Sequence, residues 1–212
     1  MADRTIEDRL REEYFELLPE IGRVRQQLES EIRYYTRLIS SRLDKYQRLQ
    51  VTSRVKECGS AVDALRRRQE SRIFDPGRAD SYTLSGLRDL AGVRILAFPQ
   101  SLLIQIDQEL RQHFLSWKSD PVRAEGGETL AYKYYGYCGE ASSRVQGEYQ
   151  VVPMLTGLFW EIEHDAIYKP DPELKGIAES LEMRERTGDV LKALQRFEDE
   201  FERLLRERES ST

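Results

Sequence analysis

The sequence predicts an α+β fold in which helices flank a mixed β-sheet, and three observations support this class. Apolar residues recur every three or four positions over residues 20–46, the spacing of a long amphipathic helix. Residues 92–98 are apolar and rich in branched side chains, as in a buried strand, and a helical pattern follows at 99–114. Residues 188–212 return to a helical repeat on a strongly charged background.

Residues 1–46 are predicted to form an N-terminal helical arm. A short helix is expected at 6–18 and a long one at 20–46. Pro19 is expected to end the first helix or to begin the second, because proline is tolerated in the first turn of a helix and disfavoured in its interior. The apolar face of the long helix consists of Ile21, Val24, Leu28, Ile32, Tyr35, Ile39 and Leu43.

Residues 47–170 are predicted to form the central domain. Apolar and polar residues alternate over 47–56, which is typical of a strand with one buried face. Arg54 and Lys56 then lie together on the other face of that strand. A helix is predicted at 60–68, directly after it.

The second half of the central domain is predicted to contain a hairpin and a helix. Strands are expected at 137–145 and 147–152, joined through Gln146 and Gly147. Residues 155–168 have the apolar spacing of a buried helix, which Pro170 and Pro172 are expected to end.

Residues 171–212 are predicted to form a C-terminal helical extension. From Gly188 onward the apolar positions step by four and three, as in a short coiled-coil seam. The seam is too short to choose between packing on the chain's own domain and self-association into a homo-oligomer. Its residues are Val190, Leu194, Phe197, Phe201 and Leu204.

Composition narrows the function classes. The chain has 212 residues with 33 basic and 38 acidic side chains, and its formal charge of −5 argues against a dedicated binder of duplex DNA. No run of about 18 apolar residues is present, so we expect no membrane span and a cytoplasmic location. Cys58 and Cys138 are expected to be ordinary thiols, because they are far apart and lack metal-site spacing.

A cluster of cations lies where the first strand meets the next helix. Arg54 and Lys56 are followed by Ser60 at the helix start and by Arg66–Arg68. Cations beside the free N–H groups of a helix start form a natural cradle for phosphate. The alternative is that these side chains are simply solvated on an exposed face.

Two carboxylates are candidates for holding a metal ion. Asp89 precedes the apolar strand 92–98, and Glu148 shares one strand face with Gln150. If the two strands are neighbours, Asp89 and Glu148 can hold one Mg²⁺ between them, although an aspartate before a strand is also a common turn cap. Arg94 lies within the apolar strand and needs a carboxylate, a phosphate or an aromatic ring as a partner.

Five segments, in this order, resemble the synthetase domain of RelA/SpoT-type alarmone synthetases, most closely the small stand-alone ones. They are RVKECGS at 54–60, DLAGVR at 89–94, YYGY at 134–137, EYQV at 148–151 and EIEHDAIYK at 161–169. The resemblance covers residues 47–169. It implies a nucleotidyltransferase-like fold and transfer of the β,γ-pyrophosphate of ATP to the 3′-hydroxyl of a nucleotide, usually GDP or GTP, as in (p)ppGpp synthesis during the stringent response.

The resemblance also implies roles for individual residues on the ATP side. Arg54 and Arg94 correspond to the pair that sandwiches adenine, and Lys56 and Ser60 correspond to contacts with the phosphates of ATP.

On the acceptor side, Asp89 and Glu148 correspond to the Mg²⁺ ligands, and Glu148 also to the base that takes the proton of the attacking hydroxyl. Tyr137 corresponds to the aromatic residue that stacks on the acceptor base, and Gln150 supports the site. Metal, cations and a base together are what pyrophosphoryl transfer requires.

Most departures from the family's motifs fall on the acceptor side; on the donor side, Ala64 stands where the family usually has a Lys, for which Arg66–Arg68 can compensate. Cys138, Ala141 and Val152 stand where the family has Arg, His and Arg, and Gly157 stands where it has an Asn that helps to read guanine. Each lost charge-assisted contact is worth roughly 1.5–3 kcal/mol. We therefore expect a 5′-polyphosphate to be held weakly, so that GTP binds no better than guanosine.

Three functions remain open from the sequence. The first is an ATP:nucleotide pyrophosphokinase. The second uses the 3′ end of tRNA as acceptor, as in the toxic branch of small alarmone synthetases, which implies an antitoxin. In that case basic residues such as Arg25 and Arg33 contact the RNA backbone. The third is a nucleotide-binding or interaction module that has lost catalysis.

Overall fold

The computed structural model describes residues 5–69, 72–123, 129–163 and 181–210. Within these ranges it contains five α-helices, six strands and two short 3₁₀ turns at Pro76–Ser81 and Leu84–Gly86. The helices are α1 (Ile6–Ser40), α2 (Cys58–Arg67), α3 (Gln100–His113), α4 (Met154–Glu163) and α5 (Leu181–Glu209). The strands are β1 (Arg48–Val55), β2 (Ala91–Phe98), β3 (Lys118–Ser119), β4 (Val122–Arg123), β5 (Thr129–Gly136) and β6 (Gly147–Pro153).

The sheet is mixed, as predicted. Its strand order is β1-β2-β6-β5-β3, and β4 pairs separately with β5. β2 and β6 are parallel, whereas the other pairs are antiparallel. The predicted strands at 47–56, 92–98 and 147–152 are confirmed to within a residue or so as β1, β2 and β6.

The two faces of the sheet are covered unequally. α1 and α3 pack on one face, where Val93 and Ile95 of β2 join the main apolar core with Tyr149 of β6. The opposite face has a much smaller apolar cluster, centred on Leu96 and Val152 beneath α4. The remainder of that second face is polar and open, and we call it the open face.

The N-terminal arm differs from the prediction of two helices. α1 runs continuously through Pro19 and ends at Ser40, before residue 46. The buried stripe of Leu10 and Leu17 continues without a break into Ile21 and beyond. Burial of this stripe outweighs the interior proline, which costs about 3 kcal/mol by removing one backbone hydrogen bond.

The predicted strand at 137–145 is wrong. The strand is β5, which ends at Gly136, and residues 137–146 form a loop. Gly139 has a φ of +44°, outside the strand region. The Ser142 hydroxyl accepts hydrogen bonds from the backbone N–H groups of Arg144 and Val145, at 3.0 and 2.9 Å. These local bonds replace the ladder bonds of a hairpin, so the turn through Gln146 and Gly147 does not form.

The C-terminal helix begins at Leu181, earlier than predicted, and packs on the chain's own domain. The Phe98 and Phe201 rings lie 4.9 Å apart between centroids. Glu198 accepts a hydrogen bond from the backbone N–H of Leu155 and Glu202 accepts one from Ser101, so both carboxylates serve the first turns of α4 and α3. Self-association through the apolar residues left exposed stays a prediction.

Some predictions fall outside the described residues. α4 confirms the start of the helix expected at 155–168, but the end of that helix, with Pro170 and Pro172, lies in the undescribed range 164–180. Cys58 and Cys138 are free thiols, as predicted. Among the described helices, none combines the length and the apolarity that crossing a membrane requires.

Candidate active site

Strand register arranges the polar side chains of the open face in two rows. The first row consists of Arg54, Gly92, Glu148 and Tyr135, which are successive neighbours across β1, β2, β6 and β5. Side chains alternate between the faces of a strand, so the next row on the same face lies two residues along. This second row consists of Thr52, Arg94, Gln150 and Lys133.

The part of the two rows on β1, β2 and β6 forms the floor of a cavity of about 460 Å³, which Trp160 and Glu161 of α4 close on one side. Tyr135 and Lys133 continue the rows across β5, beyond this lining. Gly92 lies in the middle of this floor. A β-carbon there would lie 3.7 Å from Cγ of Arg54, so a larger side chain would fill the space between Arg54 and Glu148. The absence of a side chain at Gly92 keeps the centre of the cavity open.

Glu148 is the most buried charged group of the cavity, with 4% of its surface exposed. Its Oε1 accepts a hydrogen bond of 2.7 Å from Nε2 of Gln150, and its Oε2 lies 3.1 Å from Nζ of Lys133. A buried carboxylate needs such partners because removing its charge from water is costly. Gln150 therefore helps to fix the Glu148 carboxylate, and its role in acceptor binding stays a prediction.

Lys133 is the residue that sequence reasoning missed. The available signal was the alternation along β5, where Lys133 and Tyr135 face one way while Tyr132 and Tyr134 join the core. Placing the strand at 137–145 left Lys133 outside any predicted element.

Arg94 has a carboxylate partner, as expected for an arginine in an apolar strand. Its Nη1 lies 3.2 Å from Oε1 of Glu161, and its side chain is 20% exposed. Burial lowers the pKa of Arg94, the charge of Arg54 lowers it further, and Glu161 opposes the shift. The two arginines of β1 and β2 therefore face the same cavity and repel each other, which favours an anionic or aromatic ligand between them.

Asp89 and Lys56 form an ion pair beside the first row, where β1 ends and β2 begins. The backbone N–H of Lys56 donates to the carbonyl of Leu90 at 2.9 Å, which joins the two strand ends. Burial raises the pKa of the Asp89 carboxyl. The ammonium of Lys56, with Arg54 and Arg68, lowers it by more, so the net pKa lies below its ordinary value and the group is ionised.

The chemistry of the Asp89 and Glu148 carboxylates suits a magnesium ion. Oδ1 of Asp89 is buried and has no hydrogen-bond partner among the described residues, so it offers a free hard oxygen. Glu148 keeps lone pairs beyond the bonds to Lys133 and Gln150. No group of three or more His, Cys, Asp or Glu side chains suited to a metal occurs in the described ranges, and Mg²⁺ sites built on one or two carboxylates need none.

Ser60 and Tyr137 follow the ends of β1 and β5, which the register places at the same edge of the sheet as the start of β2, just after Asp89. Ser60 is in the first turn of α2, whose N-cap residue, Glu57, makes no side-chain cap. Tyr137 follows β5 directly and is 49% exposed. The neighbouring Cys138 is buried, and burial, with the charge of Glu31, raises the pKa of its thiol to about 12, so it is a neutral packing group.

Two arginines of the basic cluster Arg66–Arg68 already have protein partners. Arg66 pairs with Glu7 of α1 at 2.6 Å and with Asp63 at 3.2 Å. Arg68 donates to the carbonyl of Gly86 at 3.1 Å. The last motif of the resemblance is described only as far as residue 163, so His164 and Lys169 lie outside the described residues.

The loop after Tyr137 is held by α1. Glu20 accepts a hydrogen bond of 2.5 Å from the Ser142 hydroxyl, and it pairs with the guanidinium of Arg144. These bonds lower the pKa of Glu20, with the Arg144 bond as the largest cause. The N-terminal helix thus fixes the segment that joins Tyr137 to β6.

Comparison with solved structures shows which known fold this is. Small alarmone synthetase 1 from Bacillus subtilis is 17% identical with a TM-score of 0.66, over 92% of this chain and 96% of that chain. The structure of that enzyme bound to its product pppGpp is 20% identical with a TM-score of 0.63, over 90% of this chain and 95% of that chain. A GTP pyrophosphokinase family protein from Streptococcus pneumoniae is 13% identical with a TM-score of 0.65, over 94% of this chain and 97% of that chain.

Protein-family models and curated proteins give no match to the sequence. The similarity is therefore one of fold, and it extends along nearly the whole chain. The chain has the fold of the small alarmone synthetases.

Proposed function

We propose that this protein transfers the β,γ-pyrophosphate of ATP to the ribose 3′-hydroxyl of a guanine nucleotide, GDP or GTP. The observation that carries the proposal is the first row of the open face, where a buried carboxylate, Glu148, lies between the cation Arg54 and the aromatic Tyr135. Solved structures of the Bacillus subtilis enzyme with this fold hold AMPCPP in one case and the product pppGpp in another, which supports the same substrate classes here.

ATP is assigned to the β1 and β2 side of the cavity. Arg54 and Arg94 project from neighbouring strands, and planar guanidinium groups stack well on a purine base. Lys56 and the uncapped first turn of α2, with Ser60, lie at the end of β1, where they meet the phosphates. Cations on this side offset the negative charge of the group in transfer.

Glu148 is assigned as the base. It takes the proton from the 3′-hydroxyl as the hydroxyl oxygen forms a bond to the β-phosphorus of ATP. The bond from that phosphorus to the oxygen bridging the α-phosphate breaks, and AMP leaves with the electron pair. Lys133 and Gln150 fix the carboxylate in place before the substrate arrives.

Magnesium is the expected cofactor. Asp89 and Glu148 are the residues that would hold it, and the ion supplies positive charge to the phosphates when bound. The burial of Glu148 and the unpaired Oδ1 of Asp89 support this assignment.

A free nucleotide is preferred over tRNA as the acceptor because of how α1 uses its basic residues. Arg25 donates to the Ser53 hydroxyl at 3.0 Å, and Arg33 donates to the carbonyl of Val51 at 2.8 Å. Both also pair with Glu29. These arginines hold α1 against the edge strand β1, so an RNA backbone would compete with bonds that stabilise the fold.

The decisive experiment supplies ATP labelled on its β- or γ-phosphate together with GDP, GTP, ATP or bulk tRNA. We expect labelled guanine nucleotide in the presence of Mg²⁺, and none with EDTA or with Glu148→Gln. Labelling of tRNA alone would contradict a free-nucleotide acceptor and support the toxic reaction, with an antitoxin to control it. Binding of an ATP analogue without labelling of any acceptor would identify a module that has lost catalysis.

A further inference from the structure

Arg88 lies against Tyr135 at the β5 end of the first row, outside every motif of the family resemblance. Its guanidinium carbon is 4.2 Å from the centre of the Tyr135 ring. Tyr135 is in the first row, directly beside Glu148 across β5 and β6, and is 9% exposed. The ring therefore holds the plane of the guanidinium one residue away from the proposed base.

The guanidinium of Arg88 has its donors available. Arg88 is exposed, and within the described residues it has neither a carboxylate partner nor a hydrogen bond. A cation–π contact uses the face of the guanidinium and leaves its five N–H donors at the edge. An arginine in this arrangement is ready to bind an oxyanion through two parallel hydrogen bonds.

The other cations in and beside the cavity already have counter-charges or belong to the proposed ATP side. Lys56 pairs with Asp89, Lys133 with Glu148, and Arg94 with Glu161. Arg54 lies on β1, three strands away from Tyr135. Arg88 is thus placed on the side where the sequence lacks the family's cations.

Two of the positions where the family has a cation are buried in this protein. Cys138 is 2% exposed and Val152 is fully buried, so a charged side chain at either position would enter the interior of this protein. The acceptor phosphate therefore needs a cation from another element. The segment before β2 carries Arg88 and places this cation on the ring of Tyr135.

We propose that Arg88 binds the 5′-phosphate group of the acceptor nucleotide and makes the site prefer a nucleotide to a nucleoside. This inference rests on the proposed function, because it assumes that the acceptor lies on the β5 side. It also changes one expectation from the sequence: GDP binds better than guanosine, since Arg88 offsets the charge lost at the motif positions.

The test is calorimetric titration of the full chain with GDP, guanosine and AMPCPP. We expect Arg88→Gln to weaken GDP binding by about tenfold or more, the value of one charge-assisted contact. Guanosine and AMPCPP should bind as they do to the parent. Arg88→Lys keeps the charge but loses the planar fork, so it should recover only part of the GDP affinity. Arg42→Gln, a change at an exposed arginine after α1, is the matched control and should change none of the three affinities.

The outcomes separate this inference from the proposed function. Unchanged GDP affinity in Arg88→Gln, or an equal loss for guanosine, would overturn the role of Arg88 even if the parent transfers pyrophosphate. A parent that transfers nothing but loses GDP affinity selectively in Arg88→Gln would refute the proposed function and retain the phosphate site. A loss confined to tRNA labelling would overturn the assignment to a free nucleotide.

Discussion

Nζ of Lys133 lies 3.1 Å from Oε2 of Glu148, and the carboxylate is 5% exposed while the lysine is 27% exposed. The pair joins the middle of β5 to the start of β6 on the open face. A nearly buried carboxylate with one cation and one amide as partners is a structural element and, in the proposed reaction, a base that is already held in position.

Replacing Glu148 with glutamine should lower turnover by at least about 100-fold, the usual contribution of a positioned base. The amide keeps the shape of the side chain, so the fold should be retained. Steady-state transfer from ATP to GDP measures the first effect, and thermal unfolding measures the second. Unchanged turnover, or full activity in EDTA, would contradict the proposed chemistry.

Replacing Lys133 with methionine should destabilise the protein by about 1–2 kcal/mol, because it leaves the Glu148 charge buried with fewer partners. The loss should largely disappear in the double variant Lys133→Met/Glu148→Gln, where no charge remains to be paired. Denaturant unfolding of the parent, both single variants and the double variant measures this coupling. If the stability losses of the two single variants simply add up in the double variant, the ion pair does not contribute to stability.

Replacing Arg54 or Arg94 with alanine should weaken ATP binding by at least about 1 kcal/mol, because each loses stacking on adenine and positive charge near the phosphates. Titration with a non-hydrolysable ATP analogue measures it. Glu161→Gln is the control, because it removes the partner of Arg94 and leaves both arginines in the cavity. Equal affinities in parent and arginine variants would refute the ATP site.

Restoring the family's asparagine at Gly157 should destabilise the fold by about 1–3 kcal/mol through overpacking. A β-carbon at this position would lie 2.4 Å from Cδ2 of Leu96, because α4 packs very closely on the sheet. Gly22→Ala is the matched control, since nothing lies within 4 Å of a β-carbon there. It should gain up to about 1 kcal/mol from helix propensity. A Gly157→Asn variant as stable as the parent would show that the departure at this position is not structural.

The stability of the protein should fall between pH 5 and pH 8 because of Glu198. Burial raises the pKa of Glu198 to about 7, against the hydrogen bond from the Leu155 N–H, and the charge of Asp199 raises it further. The folded pKa lies above the unfolded value, so this contribution is complete below the unfolded pKa of 4.5 and is lost as pH rises through about 7.

Glu198→Gln should flatten that pH dependence and stabilise the protein above pH 7. Denaturant unfolding of the parent and the variant at several pH values provides the measurement. Glu200→Gln, an exposed change on the same helix, should leave the slope in place. If the unfolding free energy of Glu198→Gln still falls with pH as in the parent, other groups cause the pH dependence.

Local pattern was enough to predict β1, β2 and β6, because each alternates or is uniformly apolar against a buried face. β5 was missed because tyrosines occupy both of its faces: Tyr134 joins the core and Tyr135 the open face. Its alternation is therefore hidden among similar side chains. The predicted helix break at Pro19 was wrong for a different reason. The local preference of proline against a helix interior was outweighed by burial of the apolar stripe along the whole of α1.

The sequence was enough to predict several residues of the candidate site, but not how they are arranged in space. Arg54, Arg94, Glu148 and Gln150 do line one cavity. Their spacing follows from the parallel pairing of β2 with β6, which are separated by about 50 residues of chain and are joined through no local signal. Lys133 reaches Glu148 through the antiparallel pairing of β5 with β6, and Arg88 reaches Tyr135 from the segment before β2, so the motifs alone did not point to either residue.

The register that places Glu148 opposite Gly92 also makes the proposed transfer reaction a sensitive measure of correct folding. A slip of β6 by a single residue would exchange its two faces. Tyr149, now fully buried, would enter the cavity, and Glu148 would be driven into the apolar core. A variant with such a slip would retain most of its helix and strand content, so its circular dichroism would look normal while its transfer reaction had already stopped.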